Sequence, residues 1–310
     1  MRLLIAEQQH SAYAALLQQA EPALELCVGN ALTELTRHAA DCELWLGQPD
    51  LLAGLLRQGF KPSWLQSTWA GITPLLAADL PRDYRLSRAV GIFGQLMAEY
   101  LLTYLLAHER QLLARAASQQ QLHWDDRTPN SLAGRRVLLV GCGEIGDQVA
   151  QLLAPFGLQL FGIASRARVQ APFQQVLGLA HLAEQAAQAD YLINLLPDTP
   201  VTADIFDAAV FAQMKPGALF INAGRGAAVV DADLLAALTS GQLAGAVLDV
   251  CRSEPLPAAH PFWTAPRLLL TGHSAAPTLP APMVELFLHN LQAYRAGMPL
   301  RGQVEFARGY

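Results

Sequence analysis

The chain has 310 residues, of which 52% are hydrophobic and 15% are charged, and its formal net charge is −5. This length predicts about two domains, and the composition supplies enough apolar residues for their cores. The acidic balance and the lack of a lysine- or arginine-rich run argue against nucleic acid and anionic membranes as partners.

The N-terminus and the cysteines predict a cytoplasmic protein. The apolar stretch at 3–6 is too short for a signal peptide, and no run of about eighteen apolar residues occurs. The four cysteines show neither metal-binding nor redox spacing, so we expect buried thiols, a reducing compartment and no metal site. They are Cys27, Cys42, Cys142 and Cys251.

Short apolar runs alternate with helical segments in roughly the first hundred residues, which predicts a small α/β layer. Strands are predicted at 3–6, 43–46 and 64–67, and helices at 13–19 and 51–58. The apolar-periodic segment 92–117 contains no proline and predicts one helix of about seven turns. The polar stretch 118–131 predicts a surface connection.

From residue 135 onwards, the chain alternates strand-like and helical segments. This alternation predicts a parallel, doubly wound sheet. The predicted strands are 136–140, 159–164, 191–195, 218–222, 245–250 and 268–271, and the predicted helices are 146–154, 178–188, 206–214 and 231–239.

Glycines at 141, 143 and 146 form G-x-G-x-x-G directly after the first of these strands. Gly141 permits a tight turn, Gly143 lets backbone N–H groups approach a pyrophosphate, and Gly146 lets the helix pack close to the strand. Glu144 and Ile145 lie at the helix N-terminus, which faces the anion. The motif alone is weak, but between a strand and a helix it favours dinucleotide binding over a purely structural turn.

The end of the second strand of this sheet favours NADP(H) over NAD(H). NAD-preferring sites carry an acidic residue about twenty residues past the glycines, which binds the ribose hydroxyls. Here the chain reads Ala164, Ser165, Arg166, with Arg168 beyond, and no carboxylate is present. Ser165, Arg166 and Arg168 are therefore predicted to bind a 2′-phosphate. The alternative is that the arginines are solvated loop charges.

Ligands bind outside the carboxyl ends of parallel strands, so residues that follow the later strands are candidates for the site. An arginine, a glutamate and a histidine are thereby predicted at one edge of the sheet. The candidates are Leu196, Pro197, Ala223, Arg225, Asp249, Glu254 and His273.

Three segments, 221–226, 248–257 and 271–276, resemble the D-isomer-specific 2-hydroxyacid dehydrogenases, with Arg225, Glu254 and His273 in that family's order. The likeness runs from around Val90 to the C-terminus and is looser before it. Within the family, the arginines after the second strand and the ending 302–310 are similar to the bacterial glyoxylate/hydroxypyruvate reductases of the A type.

The resemblance implies a Rossmann dinucleotide-binding domain at 99–276, inserted into a flavodoxin-like α/β substrate-binding domain made of 1–98 and 277–310. It also implies an NADPH-dependent reductase of small 2-oxo acids, such as glyoxylate and hydroxypyruvate, that forms a homodimer. A reductase of a larger 2-oxo acid and a nucleotide-sensing, corepressor-like binding module remain alternatives. The residues at 164–166 disfavour the binding module. Formate dehydrogenases are disfavoured because they carry glutamine where this chain has Glu254.

The resemblance also implies roles for the residues of the site. His273 would be the general acid, Glu254 would orient its imidazole, and Arg225 would bind the substrate carboxylate and carbonyl oxygen. Asp249 would accept a hydrogen bond from the nicotinamide carboxamide, and Leu196, Pro197 and Ala223 would line the cofactor site. Gly272 stands where the family usually has proline, which predicts a looser backbone before His273.

A loop of the first domain is implied to hold the substrate carboxylate through backbone N–H groups, and the matching residues are Trp69, Ala70 and Gly71. Trp45 is a candidate for the pocket wall. Both tryptophans are equally well interpreted as core or dimer-contact residues.

Overall fold

The computed structural model describes residues 1–306 and divides the chain into two compact units. The first unit contains residues 1–92 and the residues from 278 onwards, and the second contains residues 93–277. Residues 307–310, which belong to the predicted C-terminal likeness and to the expected substrate-binding domain, lie outside the described residues.

A parallel five-stranded sheet with the order β2-β1-β3-β4-β5 organises the first unit. This is the flavodoxin-like order. Every residue of β3 and β4 is buried, as is typical of parallel strands covered by helices. The elements are β1 (Arg2–Ala6), α1 (His10–Ala20), β2 (Glu25–Gly29), α2 (Leu32–Ala39), β3 (Leu44–Gly47), α3 (Pro49–Arg57), β4 (Trp64–Ser67) and β5 (Arg85–Ser87).

The second unit contains a parallel seven-stranded sheet with the order β12-β11-β10-β9-β6-β7-β8. Read from β8, this is the Rossmann order with one strand added at the β12 edge. The elements are α4 (Gly94–Glu109), α5 (Leu112–Gln120), β6 (Arg136–Val140), α6 (Glu144–Leu153), β7 (Gln159–Ala164), β8 (Gln175–Gly178), α7 (Leu182–Ala186), β9 (Tyr191–Asn194), α8 (Ala208–Gln213), β10 (Ala218–Asn222), α9 (Asp231–Ser240), β11 (Leu243–Leu248) and β12 (Leu268–Leu270).

The last helix, α10 (Pro280–Arg295), returns to the first unit and packs against its sheet. Phe287 stacks on Trp64 of β4 with ring centroids 5.0 Å apart. Asn290 is fully buried and donates to the side-chain oxygen of Gln66 at 2.9 Å, so the contact is satisfied in its polar as well as its apolar part. The predicted fold class, a Rossmann sheet together with a flavodoxin-like α/β unit, is confirmed.

The predicted single helix at 92–117 is wrong, because α4 ends at Glu109 and α5 begins at Leu112. Between them Gln111 has a left-handed backbone with φ of 53°. Glu109 is only 3% exposed and accepts hydrogen bonds from Arg135 and from the Tyr191 hydroxyl, which anchors the end of α4. No glycine or proline marks this break in the sequence.

No helix within residues 1–306 is long and apolar enough to cross a membrane. In the same part of the chain, no group of three or more His, Cys, Asp or Glu side chains is arranged to hold a metal ion.

Candidate active site

A cavity of about 240 Å³ opens where β9, β10 and β11 of the second unit end, and it contains the predicted Arg225, Glu254 and His273. The shared polarity of parallel strands explains why residues so far apart in sequence meet at one edge. The full lining is Asp198, Arg225, Gly226, Ala227, Cys251, Arg252, Glu254 and His273.

The turn after β10 presents Arg225, and the buried Asn222 holds that turn. Asn222 Oδ1 accepts from the backbone N–H of Gly224 at 3.2 Å, and its Nδ2 donates to the carbonyl of Arg225 at 3.1 Å. Gly226 is required next, because a Cβ there would lie 1.9 Å from the carbonyl carbon of Cys251. The turn is therefore fixed before any ligand binds.

Burial lowers the pKa of the Arg225 guanidinium, and the nearby carboxylates of Asp198 and Glu254 oppose that shift. Arginine titrates so far above neutral pH that the side chain stays charged. One N–H group donates to the carbonyl of Gly224 at 2.6 Å. The guanidinium is thus a positioned cation on the cavity wall, suited to a carboxylate.

Glu254 and His273 form a direct pair. Glu254 Oε2 lies 2.7 Å from His273 Nδ1, while Oε1 accepts from the backbone N–H of Cys251 at 2.8 Å. The ring is thereby oriented, and Nε2 is the ring nitrogen without a hydrogen-bond partner among residues 1–306. The His273 side chain is 50% exposed, so a small molecule can reach it.

Asp249, at the end of β11, ties the loop that carries His273. It is 4% exposed, and its carbonyl accepts from the backbone N–H of His273 at 2.6 Å. Its Oδ1 accepts from the backbone N–H of Ser274 at 2.8 Å. Gly272 and His273 both have a left-handed backbone, with φ of 66° and 56°. Proline cannot adopt that φ, so this turn requires a residue other than proline at 272, and the looser backbone predicted before His273 stays a prediction.

The glycine turn fits a dinucleotide. A Cβ on Gly141 would lie 2.6 Å from the carbonyl carbon of Leu195, and one on Gly146 would lie 2.4 Å from the carbonyl oxygen of Gly141. Gly143 has nothing within 4 Å of that position, so its surface is open to a ligand. Because α6 begins at Glu144, its first N–H groups lack acceptors within the helix and can bind phosphate oxygens.

The other candidate cofactor residues lie at the same strand ends. Leu196 is buried, and its N–H donates to Asn194 Oδ1 at 3.0 Å. Pro197 is exposed and Ala223 is buried at the end of β10. Ile145 is half-buried at the start of α6.

The two arginines after β7 are placed differently, and their predicted binding of a 2′-phosphate stays a prediction. Arg166, next to the exposed Ser165, is itself exposed and forms no hydrogen bond or ion pair within residues 1–306. Arg168 donates hydrogen bonds to the carbonyl of Cys142 and to the side chain of Gln170. It also donates to Asp147 Oδ1, at 3.2 Å. Arg168 therefore braces the glycine turn.

Trp45 lies in β3 of the first unit. It is fully buried in the core, and its indole N–H donates to the carbonyl of Cys42 at 3.0 Å, so the core interpretation holds. Trp69 is 39% exposed in the loop after β4, together with Ala70 and Gly71. Within residues 1–306, the backbone N–H groups of Ala70 and Gly71 have no hydrogen-bond acceptor.

Comparison with known proteins decides the family. The family model described as D-isomer specific 2-hydroxyacid dehydrogenase, NAD binding domain, matches residues 102–275. The chain belongs to this family. It is therefore an oxidoreductase with a nicotinamide cofactor and a small hydroxy or oxo acid as substrate.

Three similar proteins show how closely this chain resembles known members of the family in sequence and structure. A glyoxylate/hydroxypyruvate reductase A from Serratia proteamaculans (strain 568) is 41% identical over 220 residues, which is 70% of this chain and 69% of that protein. A family protein from Aeromonas salmonicida subsp. salmonicida A449 has a TM-score of 0.93 and 37% identity, covering 98% of this chain and 99% of that one. An NADPH-dependent glyoxylate/hydroxypyruvate reductase from Sinorhizobium meliloti, solved with NADP and sulfate, has a TM-score of 0.87 and 29% identity, covering 100% and 99%.

Four polar residues in or beside the site were not among the predicted site residues. Asn194 and Asn222 end neighbouring strands, are fully buried, and are joined by a hydrogen bond of 2.9 Å. The sequence did contain a sign of them, because two of the apolar strands each end in an asparagine. Tyr100 and Thr271, which contact each other at 3.0 Å, gave no such signal because they lie 171 residues apart.

Proposed function

We propose that this enzyme reduces small 2-oxo acids, glyoxylate and hydroxypyruvate foremost, with NADPH. The observation that carries the proposal is the cavity in which Arg225 and the hydrogen-bonded Glu254–His273 pair face the same space. The names of the Serratia and Sinorhizobium relatives support the substrate class.

The proposed chemistry assigns one step to each of three side chains. Arg225 binds the substrate carboxylate and polarises the carbonyl, which aligns C2. His273 donates the Nε2 proton to the carbonyl oxygen as that oxygen gains charge, and Glu254 holds Nδ1 and stabilises the imidazolium. The bound nicotinamide supplies the hydride that C2 receives. In the oxidative direction His273 takes the proton back.

The cofactor is proposed to lie along the glycine turn, with its pyrophosphate against Gly143 and the N–H groups of Glu144 and Ile145. We assign the 2′-phosphate to Ser165 and to Arg166, which has no partner among residues 1–306, with Arg168 adding charge behind them. Among residues 1–306, Asp249 Oδ2 accepts only the N–H of Ala275, at 3.1 Å, and so can still accept from the carboxamide. Leu196, Pro197 and Ala223 would contact the nicotinamide end.

The loop Trp69–Gly71 is proposed to bind the substrate carboxylate through the free N–H groups of Ala70 and Gly71. The first unit would then be the substrate-binding domain and the second the dinucleotide-binding domain. A cytoplasmic location stays a prediction.

A homodimer through the second unit is also proposed. α5 buries none of its own residues, although it begins with two leucines. The exposed apolar side chains near it are Leu106, Leu112, Leu113, Leu122 and Trp124. A second copy of this chain would cover them. Sedimentation of the wild type, and of the Leu113→Asp and Trp124→Asp variants, tests this. A wild type that sediments as a monomer would contradict it.

The decisive assay follows oxidation of NADPH and of NADH with glyoxylate, hydroxypyruvate, pyruvate and phenylpyruvate. We expect turnover with the first two and preference for NADPH. Arg166→Ala should raise KM for NADPH and leave KM for NADH unchanged. His273→Ala should lose most of kcat. The reductase proposal is rejected if the wild type turns over no 2-oxo acid, which would favour the binding-module alternative.

A further inference from the structure

We propose that Tyr100 and Thr271 are positioning residues for the acid, which set the orientation of His273 by acting through Asp249. The inference rests on the proposed role of His273 and extends it to two side chains outside the cavity lining. Tyr100 lies on α4, and Thr271 follows β12.

The three side chains form a continuous chain of hydrogen bonds. The hydroxyl oxygens of Tyr100 and Thr271 are 3.0 Å apart, and Thr271 Oγ1 lies 2.6 Å from Asp249 Oδ1. A carboxylate only accepts hydrogen bonds, so the threonine hydroxyl donates its one proton to Asp249. Thr271 must then accept from Tyr100. The direction is therefore Tyr100 to Thr271 to Asp249, and each bond polarises the next.

The tyrosine end of this chain is a permanent donor. Burial raises the pKa of the Tyr100 hydroxyl above its ordinary value, so the hydroxyl keeps its proton at neutral pH. The neighbouring Tyr104 packs edge-on against Tyr100 with ring centroids 4.8 Å apart. Within the described chain, the Tyr104 hydroxyl has no hydrogen-bond partner.

Asp249 connects Thr271 to the backbone around His273. Its Oδ1 accepts from Thr271 and also from the backbone N–H groups of Ser274, at 2.8 Å, and Ala275, at 3.1 Å. Its carbonyl accepts from the N–H of His273 at 2.6 Å. Thr271 before His273, and Ser274 and Ala275 after it, are therefore all bound to Asp249.

His273 depends on these contacts more than an ordinary loop residue would. Its φ of 56° is a conformation that residues other than glycine seldom adopt, and Gly272 before it adds no side-chain contact. In the described part of the chain, its ring is bound only at Nδ1, by Glu254. A small shift of Asp249 would move Nε2 relative to the carbonyl oxygen that it protonates, and proton transfer depends steeply on that geometry.

The test compares Thr271→Val, Thr271→Ser, Tyr100→Phe and the Val/Phe double variant, with Tyr104→Phe as matched control. Thr271→Val should lower kcat about ten-fold, as loss of a charge-assisted bond does. Thr271→Ser should restore turnover. Tyr100→Phe should lower kcat by a smaller factor, and the double variant should be no slower than Thr271→Val because both break one chain.

Hydrogen exchange of the ligand-free protein supplies a second readout. Amides 273–275 should exchange faster in Thr271→Val than in the wild type or in Tyr104→Phe. A Thr271→Val enzyme with wild-type kcat, a serine variant as slow as the valine one, or an equal effect of Tyr104→Phe overturns the inference. If the valine variant does not fold, Tyr100→Phe and Thr271→Ser decide. If the wild type has no activity, the proposed function is rejected. Hydrogen exchange would still test whether Thr271 and Asp249 hold residues 273–275 in place.

Discussion

Glu254 Oε2 lies 2.7 Å from His273 Nδ1, and its other oxygen is held by the N–H of Cys251. The carboxylate can therefore orient the ring and stabilise the charge that the ring carries. We expect Glu254→Gln to lower kcat about ten- to hundred-fold, because the variant loses a charge-assisted hydrogen bond. KM for NADPH should stay unchanged. Steady-state kinetics measure both, and a wild-type kcat would refute the pairing as a catalytic feature.

Gly143 and Gly146 serve different needs although they share one motif. A Cβ at 146 would lie 2.4 Å from the carbonyl oxygen of Gly141, whereas one at 143 meets nothing within 4 Å. Gly146→Ala should therefore destabilise the fold by about 2 kcal/mol through overpacking. Gly143→Ala should keep the Tm and weaken NADPH binding. Thermal unfolding and a fluorescence titration separate the two, and equal losses of Tm would contradict the assignment.

The sequence predicted the interior strands of both sheets and the edge strand β12, and it missed the three other edge strands. β2, β5 and β8 each lie at an edge, and they begin with Glu25, Arg85 and Gln175, so their apolar pattern is weaker. β1 and β4 in the interior are nearly all buried and were predicted with errors of one residue or less.

Some features of the candidate site and its surroundings were predictable from the sequence, and others depend on tertiary contacts. Arg225, Glu254 and His273 follow strand ends, and the polarity of a parallel sheet brings such ends together. The break at Gln111 depends on the tertiary contact between Glu109 and Arg135, and no local pattern reports it. The burial of Trp45 is likewise a property of packing that a single sequence does not show.

Arg135 compensates a carboxylate that has almost no access to water. Arg135 Nε lies 3.0 Å from Glu109 Oε1, and Glu109 is 3% exposed. We expect Arg135→Ala to lower the free energy of unfolding by about 2 kcal/mol, a value reduced because the arginine itself is partly in water. Arg57→Ala, which breaks the exposed pair with Asp79, is the control and should change nothing measurable. Similar urea midpoints for the two variants would contradict the expectation.

Cys251 lines the cavity as an unreactive thiol. Burial raises its pKa to about 11, and the carboxylate of Glu254 acts in the same direction. The thiolate is the reactive form, and a raised pKa leaves little of it at neutral pH. Alkylation by iodoacetamide, followed by mass spectrometry, should thus be slow at pH 7 and accelerate about ten-fold per pH unit towards pH 10. Rapid labelling of Cys251 at pH 7 would contradict this.

Asp198 should restrict the substrate to one carboxylate. It shares the cavity with Arg225 and Glu254, and its charge acts on the Arg225 guanidinium. The other arginine of the lining, Arg252, already binds Asp204 and the carbonyl of Ala227. A second carboxylate on the substrate would therefore meet the negative charge of Asp198 without a second arginine to pair with it.

We expect kcat/KM for oxaloacetate to lie far below that for glyoxylate in the wild type. Asp198→Asn should raise the oxaloacetate-to-glyoxylate ratio about ten-fold, which is the size of one unfavourable charge contact at a partly solvated site. KM for NADPH, measured in the same series, separates substrate selection from an effect on the cofactor. If Asp198→Asn still turns over glyoxylate but leaves the oxaloacetate-to-glyoxylate ratio unchanged, Asp198 does not select the substrate. Any discrimination would then come from Arg225.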